Sequence, residues 1–89
     1  MVVTHLYVLR KKWLYPILLY LKGSTRNFTQ FKKDLRISTK VLAHNLKVLQ
    51  QLGLIRRQLM EDRTTNYDLT EKGKQIVDLL SQIEKVLKQ

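Results

Sequence analysis

The order of capping, stop and turn signals between Asn27 and Gly73 constrains the fold of this chain more than any other feature. N-F-T-Q-F-K-K-D-L (27–35) contains a short helical segment over 29–35, and Arg36 and Ile37 form a turn that leads to Ser38, a helix-capping residue. A longer amphipathic basic segment, T-K-V-L-A-H-N-L-K-V-L-Q-Q-L (39–52), follows and is stopped by Gly53. Two strand-like runs, L-I-R-R-Q-L-M (54–60) and T-N-Y-D-L (65–69), flank the polar turn at 61–64. Thr70 then caps a closing helix.

A short helix, a tight turn, a longer basic helix, a basic hairpin and a capped closing helix, in that order, describe a winged helix-turn-helix. The expected class is mainly α with a small β-hairpin (α+β): a three-helix core, a wing, and flanking N- and C-terminal helices that form a dimer. The expected elements are helices over 4–22, 29–35, 38–52 and 70–88 and a wing hairpin over 54–69, all in one domain spanning 1–89. Thr4 or its neighbours can cap the first helix, which runs to Lys22 before Gly23, and Pro16 should kink it or split it. Leu6, Leu9, Trp13, Ile17 and Leu21 form its core stripe, whereas Tyr7, Leu14, Leu18 and Leu19 fall outside it. Phe28 sits in or beside a very short strand, and Thr29 is the expected cap of the helix over 30–35. In the next helix Leu42, Leu46 and Leu49, with Val41 and Leu52, should be buried.

The last helix carries Ile76, Leu80, Ile83 and Leu87 at helical spacing, and its far end extends beyond what one small domain can cover. A second subunit is the economical cover, with Tyr7, Leu14, Leu18, Leu80, Ile83 and Leu87 as the expected dimer interface.

Composition narrows the function. With 89 residues, 44% of them hydrophobic, one small core is all the chain can build. It contains no cysteine, which removes disulfides, thiolate metal sites and thiol redox switches. Neither a metal nor a cofactor is expected. The N-terminus has no secretory pattern, and the most apolar run, 13–21, is interrupted by Pro16 and shorter than the ~20 residues a membrane span needs, so a cytoplasmic protein without membrane contact is expected.

The net charge of +10 is unevenly placed: residues 1–60 carry twelve Lys/Arg against Asp34 alone (12 − 1 = +11), while 61–89 carry five basic and six acidic residues (5 − 6 = −1). A single-sign field of this kind attracts a polyanion, and nucleic acid fits it better than a membrane surface, because no segment pairs an apolar face with a Lys-rich one over several turns.

Opposite the apolar stripe of the 38–52 helix lie Thr39, Lys40, Ala43, His44 and Lys47, next to the capping Ser38. Helix-turn-helix proteins insert such an N-terminal helix half into the major groove. Ala43 permits close approach, Thr39 and His44 can hydrogen-bond base edges or phosphates, and Lys40 and Lys47 can meet phosphates or guanine acceptors. Arg56, Arg57 and Arg63 flank or occupy the hairpin, with Thr64, Thr65 and Asn66 as short hydrogen-bonding groups at its tip. Arg63 is the candidate for a narrow minor groove, against the competing reading of an ion pair between Asp62 and an arginine.

Trp13 with I-L-L-Y-L-K-G (17–23), N-F-T-Q-F (27–31), I-S (37–38), L-x-x-x-L-x-x-L (42–49), L-G-L-I-x-R (52–57) and Y-D-L-T-E-K-G (67–73) resemble the HxlR-type winged-helix regulators over about four fifths of the chain. The E-D-R turn is also similar to the MarR-type wing, in which an Asp and an Arg stabilise and present the hairpin. This resemblance implies a homodimeric transcription regulator with its recognition helix over 38–48, its wing over 56–67 and its terminal helices forming the dimer. The chain departs from the family in lacking the cysteine many members carry before the tryptophan, and in having Asn27 where they have an arginine, which leaves Arg26 as the substitute candidate.

The leading expectation is therefore a duplex-DNA-binding regulator, a repressor by default, acting as a homodimer; its small-molecule effector, operator and target genes are not written in the chain. A protein-interaction module and a sequence-indifferent, chromatin-like DNA coat are the alternatives. Enzyme chemistry has no support, since His5 and His44 are far apart and there is no nucleophile elbow, metal motif or phosphate loop.

Overall fold

The computed structural model describes residues 10–89 as four helices and a three-stranded antiparallel sheet. The part of the first expected helix before residue 10, including Tyr7, lies outside the described residues. From residue 10 onward that helix is not continuous. A turn at Lys12 and Trp13 precedes α1 (Leu14–Tyr20), so Pro16 occupies the first turn, where its missing N–H has no intrahelical carbonyl to meet. The proline thus goes with a new helix start at Leu14, two residues upstream of itself.

This restart resets the helical phase. Leu14, Ile17, Leu18 and Leu21 form one buried stripe, whereas Leu19 is 43% exposed. The assignment of Leu14 and Leu18 to a subunit interface is therefore corrected: at 2% and 0% exposure they belong to the chain's own core.

Strand β1 (Arg26–Asn27) leads directly into α2 (Phe28–Leu35). The cap is Asn27 rather than Thr29. Its Oδ1 accepts from the Gln30 backbone N–H at 2.9 Å, and the Gln30 side-chain Oε1 accepts from the Asn27 N–H at 2.9 Å, a reciprocal capping box. Arg36 closes α2 in the left-handed region (φ 53°), and buried Ile37 leads to α3 (Thr39–Gln51). As expected, Ser38 caps α3, accepting from the Val41 N–H at 3.3 Å.

Along α3, Leu42, Leu46 and Leu49 are buried, but Val41 is 38% exposed. Asn45 takes the inner position and satisfies its amide by donating to the Val41 carbonyl at 2.8 Å. Gly53, at φ 75°, ends the helix: its N–H reaches the Gln50 carbonyl and the Leu54 N–H the Leu49 carbonyl, both at 3.0 Å.

Strands β2 (Ile55–Leu59) and β3 (Thr65–Leu69) pair antiparallel, with Ile55 opposite Leu69 and Leu59 opposite Thr65. β1 joins the other side of β3, giving the order β1-β3-β2. The core sits between this sheet and the helices. There Phe31 packs edge-on between Tyr20 and Tyr67, with ring centroids 5.3 and 6.0 Å away.

The closing helix α4 (Glu71–Leu87) starts at Thr70, whose hydroxyl accepts from the Gly73 N–H at 3.0 Å. It is buried at Gly73 and Val77, half-buried at Ile76 and Leu80, and open beyond. Ile83 is 52% and Leu87 78% exposed, so among the described residues the distal turns have no cover.

Thr70 is also the fastener between the two long helices. Its N–H donates to the Leu54 carbonyl at 3.1 Å, its hydroxyl donates to the Gly53 carbonyl at 2.6 Å, and Lys72 Nζ donates to the Leu52 carbonyl at 3.0 Å. The start of α4 is thereby tied to the end of α3.

Candidate nucleic-acid interface

The buried stripe of α3 turns the opposite side of the helix to solvent. Ser38, Thr39, Lys40, Ala43, His44 and Lys47 are all exposed, and α3 contains no acidic residue. Among the described residues, neither Lys40 nor Lys47 enters an ion pair. The face thus offers two unneutralised cations and three short hydrogen-bonding groups around a methyl side chain small enough for close approach.

The wing separates residues that look equivalent in sequence. Because strand side chains alternate, Arg56 and Arg57 point to opposite sides of the sheet. Arg56 lies opposite Asp68, and its Nη2 and Nε reach the two carboxylate oxygens at 2.6 and 3.3 Å. This bidentate pairing raises the Arg56 pKa further and leaves the guanidinium committed to the wing. Arg57 shares the face of Ile55, is exposed, and has no carboxylate partner among the described residues.

At the tip the Arg63 N–H donates to the Met60 carbonyl at 3.0 Å and the Met60 N–H to the Thr64 carbonyl at 2.8 Å, enclosing the three-residue loop Glu61–Asp62–Arg63. Such loops place their last residue in the left-handed region, and Arg63 is there at φ 68°. Asp62 does not pair with an arginine. Its Oδ1 accepts from the Thr64 hydroxyl at 2.6 Å and the Thr64 N–H at 3.0 Å, which hold its pKa below the ordinary range. Thr65 and Asn66, expected at the tip, are half-buried ladder residues of β3, with Asn66 between Asn27 and Gln58. Of the short polar groups named there, only Thr64 belongs to the tip.

Arg26 does not stand free in place of the arginine that Asn27 replaces. Its guanidinium stacks 4.5 Å from the centroid of the Tyr20 ring. Tyr20 in turn donates to Asp34, and its pKa is raised by desolvation and then by that carboxylate. Asn27 itself is used as the cap of α2. Among the described residues there is no cluster of His, Cys, Asp and Glu able to hold a metal, and no helix long and apolar enough to cross a membrane.

A second surface lies across α1 and α4, where Leu14, Tyr15, Leu80, Ile83, Glu84 and Leu87 line an open apolar groove of about 410 Å³. Tyr15 donates to Glu84 across it at 3.0 Å, which together with Lys88 lowers the Glu84 pKa. Leu79 and Val86, 55% and 62% exposed, extend the apolar area along α4.

Two helices joined by a tight turn, with a capped and outward-facing second helix followed by a hairpin, define a winged helix-turn-helix protein. The family model for the HxlR-like helix-turn-helix matches residues 8–89, and the chain belongs to this family. It is similar to the HTH-type transcriptional regulator YvaP of Bacillus subtilis (strain 168), with 30% identity over 81 residues, 88% of this chain and 75% of the relative.

Among solved structures, the reduced form of the transcriptional regulator YodB from B. subtilis superposes with a TM-score of 0.84 at 26% identity, covering 96% of this chain and 90% of YodB. A MarR-family protein from Enterococcus faecalis V583 shares the fold, with a TM-score of 0.87 at 24% identity over 93% of this chain and 78% of its own. The chain is accordingly a transcriptional regulator of the HxlR type with a MarR-like winged-helix fold, and not an enzyme.

Proposed function

We propose that the chain binds duplex DNA as a homodimer and represses by occluding the sites it covers. The observation that carries this reading is the α3 face: Thr39, Lys40, Ala43, His44 and Lys47 are all exposed on a helix with no acidic residue. In a twofold dimer, two such helices enter successive major grooves about 34 Å apart on a pseudo-palindromic site. Arg57 and Arg63 reach toward the flanking backbone and minor groove. Arg56, paired to Asp68, supports the wing instead.

The exposed row Leu79, Ile83, Val86 and Leu87, with half-buried Leu80, supplies the dimer seam. YodB has been solved in reduced and quinone-bound forms, but this chain has no cysteine, so a thiol cannot be its input. A small apolar effector at the α1–α4 groove is the alternative its chemistry allows.

Contact with about six phosphates gives a log–log salt slope of binding of about −5. Binding that stays flat from low to physiological salt contradicts the DNA reading. Alanine at Lys40, His44 and Lys47 together should abolish retention on DNA, and unchanged retention would favour a protein-interaction module.

A further inference from the structure

The α1–α4 groove, about 410 Å³, is walled by Leu14, Leu80, Ile83 and Leu87, and among the described residues its polar lining is Tyr15 and Glu84 alone. A mostly apolar cleft with a few converging polar groups is the usual form of a small-molecule site, and those groups decide which head group it accepts. Here both are half-buried and stand on facing helices.

The hydrogen bond between them limits what they can offer. Tyr15 has one hydroxyl proton, and it is donated to Glu84 Oε2 at 3.0 Å. With that proton committed, the phenol oxygen and the carboxylate present only lone pairs to an occupant. A carboxylate or a ketone brings more lone pairs and finds no donor. A protonated amine brings three N–H donors, and its charge opposes that of Glu84, the one charged residue of the lining.

Lys88 already tests the second carboxylate oxygen. Its Nζ lies 3.3 Å from Glu84 Oε1, but its side chain is 75% exposed, and an exposed i, i+4 pair is worth only about twofold in affinity. An ammonium whose apolar body is held by the leucines can take its place. The net positive charge of the chain is screened beyond about 8 Å at physiological salt, and α4 lies in the part of the sequence where acidic residues outnumber basic ones.

We propose that the α1–α4 groove binds an apolar molecule with a protonated amine head, its body on Leu14, Leu80 and Ile83 and its ammonium on Glu84 and the Tyr15 oxygen. This rests on the reading above that the groove is an effector site, and it names the effector's class. Leu80, Ile83 and Leu87 also belong to the proposed seam, so the occupant would lie beside the second subunit.

The test is isothermal titration calorimetry on the full chain at neutral pH and about 0.15 M salt, which screens the general surface charge. Naphthylethylamine, naphthylethanol and naphthylacetate share a ring and differ in the head: ammonium, hydroxyl and carboxylate. The amine should bind about tenfold more tightly than the alcohol, the difference between a charged and a neutral hydrogen bond, and the carboxylate most weakly. Glu84→Gln keeps the shape of the side chain, so in this variant the amine should lose its advantage while the alcohol binds as before. Lys88→Gln removes the competing cation and should tighten the amine about twofold.

An alcohol bound as tightly as the amine, a carboxylate bound most tightly, an advantage that survives Glu84→Gln or an affinity that does not rise in Lys88→Gln overturns the amine assignment. Binding of none of the three overturns the effector site itself. Retention on a mixed-sequence duplex, measured without ligand, reports DNA binding separately from both.

Discussion

Gly73 offers a sharp test of how α4 is seated. A Cβ built there would lie 2.0 Å from the Leu54 carbonyl oxygen, 3.0 Å from its carbon and 3.3 Å from a Leu69 methyl. Ordinary contact begins at 3.4 Å, so backbone must move by about 1.4 Å (3.4 − 2.0). The same carbonyl accepts the Thr70 N–H at 3.1 Å, which means that the movement strips a hydrogen bond from the helix entry.

Overpacking costs about 1–3 kcal/mol and the weakened hydrogen bond about 1, while replacing a helical glycine by alanine returns about 1. Gly73→Ala should therefore destabilise by about 1–3 kcal/mol, and in a domain of this size the thermal midpoint should fall by roughly 5–20 °C. Thermal melting by circular dichroism reads this directly, with exposed Gln75→Ala as a control expected within about 0.5 kcal/mol of the parent. A midpoint that rises in Gly73→Ala, as helix propensity alone dictates, would refute the close approach of the Leu54 carbonyl to α4.

The two adjacent wing arginines should behave differently. Arg57→Ala should make the salt slope of DNA binding shallower by about 0.9, while Arg56→Ala should leave it unchanged; equal effects would mean that Asp68 does not hold Arg56. Ile83→Asp with Leu87→Asp should yield a folded monomer by sedimentation velocity, and a dimer that survives both carboxylates would place the seam elsewhere.

The lowered Glu84 pKa makes the Tyr15 contact a stabilising term above the unfolded glutamate value of about 4.3, lost as pH falls through the lower folded value. Glu84→Gln should therefore flatten the acid limb of the melting curve below about pH 4. An acid limb identical to the parent's would show that the contact does not form in solution.

Sequence periodicity identified the elements where one face dominates, as in α3 and the core side of α4. It misplaced those whose phase depends on a start point. The stripe Leu14, Ile17, Leu18 and Leu21 is plain once α1 begins after Trp13, and a proline tolerated only in a first turn was the available signal. Asn27 followed three residues later by Gln30 is a capping-box spacing, so that cap was also legible.

The wing was harder. Whether Arg56 or Arg57 is neutralised depends on strand register, and register follows from a three-residue loop closed between Met60 and Thr64, not from composition. Asp62 found its partner two residues away in Thr64, a local bond that outcompetes a distant arginine because little chain must be ordered to make it. The burial of Asn45 becomes intelligible only with the Val41 carbonyl beside it.

The fastening of Leu52, Gly53 and Leu54 to Thr70 and Lys72 has a mechanical corollary. Because α3 is tied to the start of α4, the angle at which two α4 helices would cross in the proposed dimer would set the distance between the two α3 helices. In that dimer the joint would work as a caliper, its jaws the two α3 helices and its handle the distal turns of α4. A molecule wedged beside Ile83 would then change the base-pair spacing such a dimer accepts while touching none of the α3 residues proposed to meet DNA.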